Sequence, residues 1–438
     1  MLLSNSKNIL DIVNGYSSLE KTVDFKGVYS DTREYLNDGL FIALEGENFD
    51  GHNFVINAEK AGAKLIIAQK KVDTTLPVIM VSNSEKAYQE IAAWHRQSYS
   101  PKVIAITGSN GKTSTKNMLH SILTLHGKTH STKGNLNNHL GVPKTILQLI
   151  SEHQYCVVEM GANHQNEIKL LCDIAKPDIS VVTNANNAHL GGFGSIEKLV
   201  KAKGEIYQSL GHKGVSIINN DSPHSQTWIE MSNSNKFIYF GTNSNIFADN
   251  IHQREQSIDF NLHLNGDVID INLPMIGLHQ IENALAASAC ASELDVDPLL
   301  IKKGLENPIT EKGRLNLIKC NDFNILDDSY NANPQSMKVA IDALLNFKGK
   351  KIAVLGSMAE LGNSSEQLHQ EVGDYARQAD LDFIFSIGKD AKHYQGQDFP
   401  DIESLYRHLR AHHLGATILI KGSRMMKLDR LVDIIQKQ

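Results

Sequence analysis

Short runs of β-branched and aliphatic residues recur along the chain, each followed by a stretch with helical apolar spacing. This alternation predicts parallel sheets with helices on their faces. In the first hundred residues strands are expected near Gly39–Leu44, Lys64–Ala68 and Val78–Val81, and helices near His52–Gly62 and Ser84–Tyr99. Ser100-Pro101 then breaks the pattern. KVIAIT from Lys102 feeds a glycine-rich loop and a helical pattern running to about His126; YCVVEM at 155–160, ISVVT at 179–183 and VSIIN at 215–219 read as further strands of that unit. Between about 236 and 273 the alternation loses its helical period, and FIYFG, IDFNLHL and VIDINLP predict a small antiparallel patch attached to the same unit. After Lys312-Gly313 the rhythm restarts with ILDD at 325–328, KIAVLG at 351–356, FIFSIG at 383–388 and ATILIKG at 416–422, a smaller doubly wound unit. The expected fold class is therefore α/β in three domains, over 1–100, 101–312 and 313–438.

Composition agrees with this division. A length of 438 residues corresponds to three domains of about 150 residues, and 41% hydrophobic with 21% charged residues is ordinary for globular proteins. Forty-three Lys and Arg against 49 Asp and Glu, with no block of like charge, argue against bulk attraction to nucleic acid or an anionic membrane. The N-terminal apolar run is broken after two leucines, and no stretch reaches the ~20 apolar residues a membrane span requires, so neither export nor insertion is expected. Cys156, Cys172, Cys290 and Cys320 show no CxxC pairing and read as reduced, buried thiols in a cytoplasm.

The sharpest local signal is Thr107-Gly108-Ser109-Asn110-Gly111-Lys112-Thr113-Ser114, between a strand and a helix. Glycines let backbone N–H groups turn inward on phosphate oxygens, and the helix N-terminus adds positive charge. Lys112 reaches the β and γ phosphates and Thr113 supplies a magnesium ligand, so ATP binding follows. The first glycine of the longer GxxxxGK[ST] form is replaced by Ile106, and the loop alone leaves kinase, GTPase and ligase open. Glu159 ends a buried strand and is a candidate magnesium ligand at the carboxyl edge, where ligands collect. His189 lies in a loop rich in Asn and Gly, followed by a helix carrying Lys201 and Lys203, between which local physics gives no reason to choose.

Taken together, TGSNGKT, VVEMGANH, NAHLGGFGS followed by KAKGEI, GLHQIENALAA, GRLN and LDDSYNANP resemble the Mur ligase family of ATP-dependent amide-bond ligases, over essentially the whole chain. The resemblance implies a small N-terminal α/β domain for a UDP-linked precursor. It implies a central P-loop ATPase domain and a C-terminal Rossmann-like domain for the incoming amine and part of ATP. It implies that Lys112 and Thr113 hold the phosphates and a first magnesium shared with Glu159. A second magnesium is then held by His189 and by Lys203 carbamylated with CO2, which turns a repelling cation into an anionic oxygen ligand. Asn283 matches an adenine-contacting asparagine, while Arg314 and Asp328 match residues reaching phosphate and ribose.

The narrower resemblance rests on SDTREYLNDGLFIALEGENFDGH, KGNLNNHLGVP, DDSYNANP, GSMAELG and KGSR. It implies that the substrates are UDP-N-acetylmuramoyl-tripeptide and D-alanyl-D-alanine, joined in cytoplasmic peptidoglycan synthesis through an acyl phosphate; a monomer is expected only by default. Ser30, Asp31, Thr32 and Arg33 would hold the UDP-sugar end, Asn135, Asn137 and Asn138 lie in a central substrate loop, and Asn331, Asn333 and Arg424 are candidates for the dipeptide. Ser30–Arg33 is equally a turn or helix cap by residue type. Tyr330 stands where some relatives carry a lysine, so no phosphate role transfers to it. The alternatives are a sister ligase adding a diamino acid, whose DNPR box is absent, a folylpolyglutamate-type ligase, and an ATP-regulated binding protein without turnover, against which Glu159, His189 and Lys203 weigh.

Overall fold

The computed structural model describes residues 2–17, 21–34, 36–46, 48–186 and 190–437. Three α/β bodies follow one another along the chain. In the first, strands Val28–Tyr29, Leu40–Ile42, Leu65–Ala68 and Val78–Met80 form a parallel sheet in that order. The helix expected over 52–62 is divided into a 3₁₀ turn, Gly51–Phe54, and a helix, Val55–Lys60, because the Asp50 side chain accepts the His52 N–H and caps the tighter turn first. Helix Ser84–Gln97 packs on the first body and also on the second: His95 Nε2 lies 3.0 Å from the Leu149 carbonyl, and Arg96 Nε donates to the Ala175 carbonyl at 2.8 Å.

The central sheet has six parallel strands in the order Thr129–Ser131, Tyr155–Glu159, Lys102–Thr107, Ile179–Val182, Val215–Asn219 and Lys236–Phe240. Its four inner strands are apolar nearly throughout because both faces are covered. Along Lys102–Thr107, Val103 and Ala105 enter one core with helices Ser84–Gln97 and Ile196–Gln208, while Ile104 and Ile106 enter another with helices Lys112–His126 and His279–Glu293. Each such buried aliphatic side chain contributes about 1.5–3 kcal/mol. The antiparallel patch consists of Ile246–Gln253, Ile258–Leu264 and Asp267–Leu273. FIYFG therefore does not belong to it: Lys236–Phe240 pairs in parallel with Val215–Asn219, and the third antiparallel strand is the more polar Ile246–Gln253.

The third sheet runs Asn316–Lys319, Asn324–Asp328, Thr417–Lys421, Lys351–Gly356, Phe383–Ile387 and Gln397–Phe399, parallel except for the first pair. Cys156, Cys172 and Cys290 are buried and Cys320 partly so, all as free thiols. Among the described residues no helix is long and apolar enough to cross a membrane.

Burial of His130, in the edge strand Thr129–Ser131, is expected to make the fold acid-sensitive. His130 bonds the Thr145 carbonyl at 3.0 Å and stacks on His153 at 5.1 Å. Burial first, then the His153 charge, pushes its pKa down to about 4. The unfolded state thus binds more protons below the ordinary histidine pKa. Stability is full above pH ~6.5 and falls toward pH ~4, by up to about 3 kcal/mol from this residue. Denaturant unfolding of His130→Gln should show a flatter slope across that window than the parent protein.

Candidate functional site

Strand register assembles the phosphate end of the site. Glu159 pairs with Ile106, and Val182 with Thr107, so the carboxyl ends of three strands meet beside the loop 107–113. Lys102–Thr107 has Thr129–Ser131 and Tyr155–Glu159 on one side and the later strands from Ile179–Val182 on the other, so the strand order reverses at it, which is where open α/β sheets form a ligand crevice. Helix Lys112–His126 begins there with Gly111 before it at φ 80°. A Cβ at Gly111 would lie 2.2 Å from Asn283 Oδ1. Gly111→Ala should therefore cost about 1–3 kcal/mol and weaken nucleotide binding, measurable by thermal denaturation and ADP calorimetry.

The loop is tied to the end of the next strand by backbone and side-chain bonds. Ser109 N–H donates to the Asn184 carbonyl at 2.9 Å, Asn110 N–H to Asn184 Oδ1 at 2.9 Å, and Thr183 Oγ1 to the Asn110 carbonyl at 2.6 Å. Lys112 Nζ donates to the Gly108 and Ser109 carbonyls at 2.8 and 3.2 Å, so its ammonium lies over the loop where phosphate oxygens would be received. Desolvation lowers its pKa, Glu159 opposes this, and Arg314 reinforces it. Glu159, 2% exposed, accepts from Thr113 Oγ1 at 2.8 Å and from Asn137 Nδ2 at 2.8 Å. A hydroxyl and a carboxylate on one side of a phosphate loop are hard oxygen donors suited to magnesium.

Helix Ile196–Gln208 separates the two lysines left open by residue pattern: Lys201 is exposed, whereas Lys203 is 1% exposed and lines the cleft. Among the described residues its ammonium has no hydrogen-bond partner; it stands 5.8 Å from the Phe193 ring centroid. Burial, then the Lys112 charge, push its pKa down to about 7, with Glu167 and Glu205 opposing. His189 lies outside the described residues.

The third body closes the other side of a cleft of about 880 Å³. Asp328 and Lys421 are register partners on adjacent parallel strands, and Lys421 Nζ donates to Asp328 Oδ2 at 2.6 Å and to the Asn331 carbonyl at 2.9 Å. The Arg314 guanidinium stacks on the Tyr330 ring, 4.2 Å from its centroid. Asn333 caps helix Pro334–Leu345 through Ser336 N–H and also clasps the phosphate loop: its Nδ2 donates to Asn110 Oδ1 at 2.6 Å, and Asn110 Nδ2 donates back at 3.4 Å. Asn283, against Gly111 of the phosphate loop, accepts from Thr115 Oγ1 at 3.2 Å and donates to Gln280 Oε1 at 2.9 Å.

The cleft thus gathers Ser109 to Ser114, Glu159, Lys203, Asn283, Arg314, Asp328, Asn331 and Asn333, with Asn137 and Asn138 at its edge; Gly108 supplies a carbonyl to Lys112 just behind. Three groups of expected contacts lie elsewhere. Ser30, Asp31, Thr32 and Arg33 do not line the cleft; Asp31 accepts Arg33 N–H and its guanidinium at 2.6–3.1 Å, an Asx turn whose arginine holds the Asp31 pKa down to about 2. Asn135 is exposed and outside it, and Arg424 is exposed and paired with Asp429 at 2.9 Å. Lys116 and Glu311 enter the surroundings of the site without any local motif to announce them, whereas Lys421 and Tyr330 lie within KGSR and DDSYNANP but carried no expected role.

The profile of the Mur ligase middle domain matches residues 106–291, that of the Mur ligase, glutamate ligase domain residues 313–424, and that of the Mur ligase family, catalytic domain residues 24–100. The UDP-N-acetylmuramoyl-tripeptide--D-alanyl-D-alanine ligase of Escherichia coli (strain K12) is 38% identical over 450 residues, covering 100% of this chain and 99% of that protein. The crystal structure of MurF from Acinetobacter baumannii superposes with a TM-score of 0.93 at 34% identity over 100% of both chains. MurF ligase from Thermotoga maritima in complex with ADP gives 0.85 at 28% identity over 94% and 97%.

Proposed function

The chain belongs to the Mur ligase family, and from that premise we infer that it joins D-alanyl-D-alanine to UDP-N-acetylmuramoyl-tripeptide at the expense of ATP. The products are UDP-N-acetylmuramoyl-pentapeptide, ADP and phosphate, a step of peptidoglycan synthesis. The observation that carries the reading at the site is convergence: the phosphate loop, buried Glu159 and buried Lys203 of the central body face Arg314 and Asp328 of the third across one cleft. A binding protein without turnover has no need of a buried, unpartnered lysine beside a phosphate loop.

In the proposed mechanism the terminal carboxylate of the tripeptide attacks the γ-phosphorus, the bond to ADP breaks, and an acyl phosphate forms. The dipeptide amine then attacks the acyl carbon, and phosphate and a proton leave. No protein nucleophile is required. The carboxylate, the polyphosphate and the later oxyanion are all negative, so Lys112 and Arg314 offset charge that grows in both transition states. Thr113 and Glu159 would hold a first magnesium, and His189 with a carbamate on Lys203 a second; the metals supply Lewis-acid neutralisation of the phosphate oxygens. Lys203 suits CO2 addition because burial disfavours its charged form, and the neutral amine is the form that attacks carbon dioxide. Asn283 would meet adenine, Asp328 ribose, and Lys421 keeps the Asp328 carboxylate turned to the cleft.

Residues 1–100 are assigned to the UDP precursor, 101–312 to ATP, and 313–438 to the dipeptide and part of ATP. Ser30 to Arg33, Asn135, Asn137, Asn138, Asn331, Asn333 and Arg424 stay with the two peptide substrates as proposals, although the Asn333 amide is already engaged. A nucleotide-linked precursor and ATP favour action in the cytoplasm, and the enzyme is proposed to act as a monomer. The test is phosphate release from ATP and magnesium with UDP-N-acetylmuramoyl-tripeptide, adding D-alanyl-D-alanine or a diamino acid in parallel, with product masses. A pentapeptide mass with the dipeptide alone is expected; release only with the diamino acid on a shorter precursor would overturn the assignment.

A further inference from the structure

The segment joining the second body to the third is laced onto the phosphate-loop helix rather than free. Ile309 N–H donates to Ser121 Oγ at 3.0 Å. Two residues later, Glu311 Oε1 accepts from Lys116 Nζ at 3.1 Å and from Asn117 Nδ2 at 3.4 Å. One turn of helix is about 5.4 Å and two extended residues span ~6.6 Å, so the two repeats nearly match. The segment runs antiparallel to helix Lys112–His126, from Ser121 back toward its N-terminus, and three residues past Glu311 it delivers Arg314 to the end where the phosphates are received.

The pin in this lacing is the Lys116–Glu311 pair. Lys116 is 2% exposed, an expensive place for an ammonium unless it is paired and hydrogen-bonded, and its remaining contact is the Thr132 carbonyl at 3.0 Å. Thr132 in turn accepts the Glu159 N–H through its Oγ1 at 3.0 Å. The Glu311 carboxylate divides its oxygens: Oε1 takes Lys116 and Asn117, while Oε2 faces Arg314 Nε at 3.9 Å. That Nε is buried without a hydrogen-bond partner, and Tyr330 supports the guanidinium plane. Arg314 is thus mounted from behind by a carboxylate and from one face by a ring.

We propose that Glu311 is a positioning residue for ligation, fixed by Lys116, which sets the register of the interdomain segment and aims Arg314 at the ATP phosphates. The proposal rests on the reading that Arg314 contacts phosphate. It also makes Lys116 a common anchor for the substrate loop, through Thr132, and for the third body, through Glu311.

The test is a double-mutant cycle in the full-length enzyme, with kcat and KM for ATP, tripeptide and dipeptide measured separately from melting temperature. Glu311→Gln retains the side-chain shape and should lower kcat roughly tenfold with the tripeptide KM unchanged. Arg314→Ala should lower it further, and Glu311→Gln added to Arg314→Ala should then cost nothing more. Lys116→Met, which removes the ammonium but keeps an apolar stem, should lower kcat as Glu311→Gln does and, because it also frees Thr132, raise the tripeptide KM. If Arg314→Ala is impaired but Glu311→Gln costs the same in either background, the phosphate role of Arg314 stands and the positioning role is overturned. If Glu311→Gln lowers only the melting temperature, or Lys116→Met leaves kcat intact, the pin is overturned. If Arg314→Ala is fully active, the reading of Arg314 fails and this proposal fails with it.

Discussion

Lys203→Ala is expected to lose ligation by at least about a thousandfold, close to 4 kcal/mol of transition-state stabilisation, while remaining folded. The side chain is 1% exposed and, among the described residues, has no hydrogen-bond partner, so its removal breaks no local network. What disappears is the attachment point for the proposed carbamate, and with it an anionic oxygen ligand. Formate or acetate, supplied at high concentration to the cavity left by the shortened side chain, should restore part of the rate. Stripping the parent enzyme of CO2 and bicarbonate should depress activity that bicarbonate then returns. Full activity in the untreated variant would falsify the carbamate, and loss without carboxylate rescue would leave Lys203 a purely electrostatic part.

Glu159→Gln is expected to lower kcat by about a hundredfold or more and to raise the magnesium concentration needed for half-maximal rate. Glutamine fills the same volume and still accepts from Asn137, which now bonds Oε1, and it can present its amide to Thr113. Fold and ADP binding without metal should therefore persist. The change removes one negative charge from a residue 2% exposed, where water cannot replace it. Turnover within a few fold of the parent at limiting magnesium would exclude Glu159 as a metal ligand.

How far residue pattern led toward this site depended on how local each feature is. Buried parallel strands such as Lys102–Thr107 and Thr417–Lys421 stand out because both faces are apolar, and the loop between a strand and Lys112 carries its chemistry within eight residues. Lys236–Phe240 misled because it is an edge strand: its partial exposure imitates the alternation of an antiparallel ribbon. Asn316–Lys319 went unread, being short and only half-buried. Lys203 could be preferred to Lys201 only through burial of one helix face or through family resemblance. The Lys116–Glu311 and Asn110–Asn333 contacts join residues 195 and 223 positions apart, and no window along the chain contains both partners. Ser30–Arg33 shows the opposite limit, since polar residues that suit a ligand also suit one another.

The clasp between Asn110 and Asn333 is built from two neutral amides. Each such bond is worth about 0.5–1.5 kcal/mol net, and neither partner titrates or attracts counterions. Separation of the two bodies at this point is therefore a shallow equilibrium, within reach of thermal motion and indifferent to salt and to pH. A ligase that must admit three substrates and release three products gains from a fastening that any of them can undo.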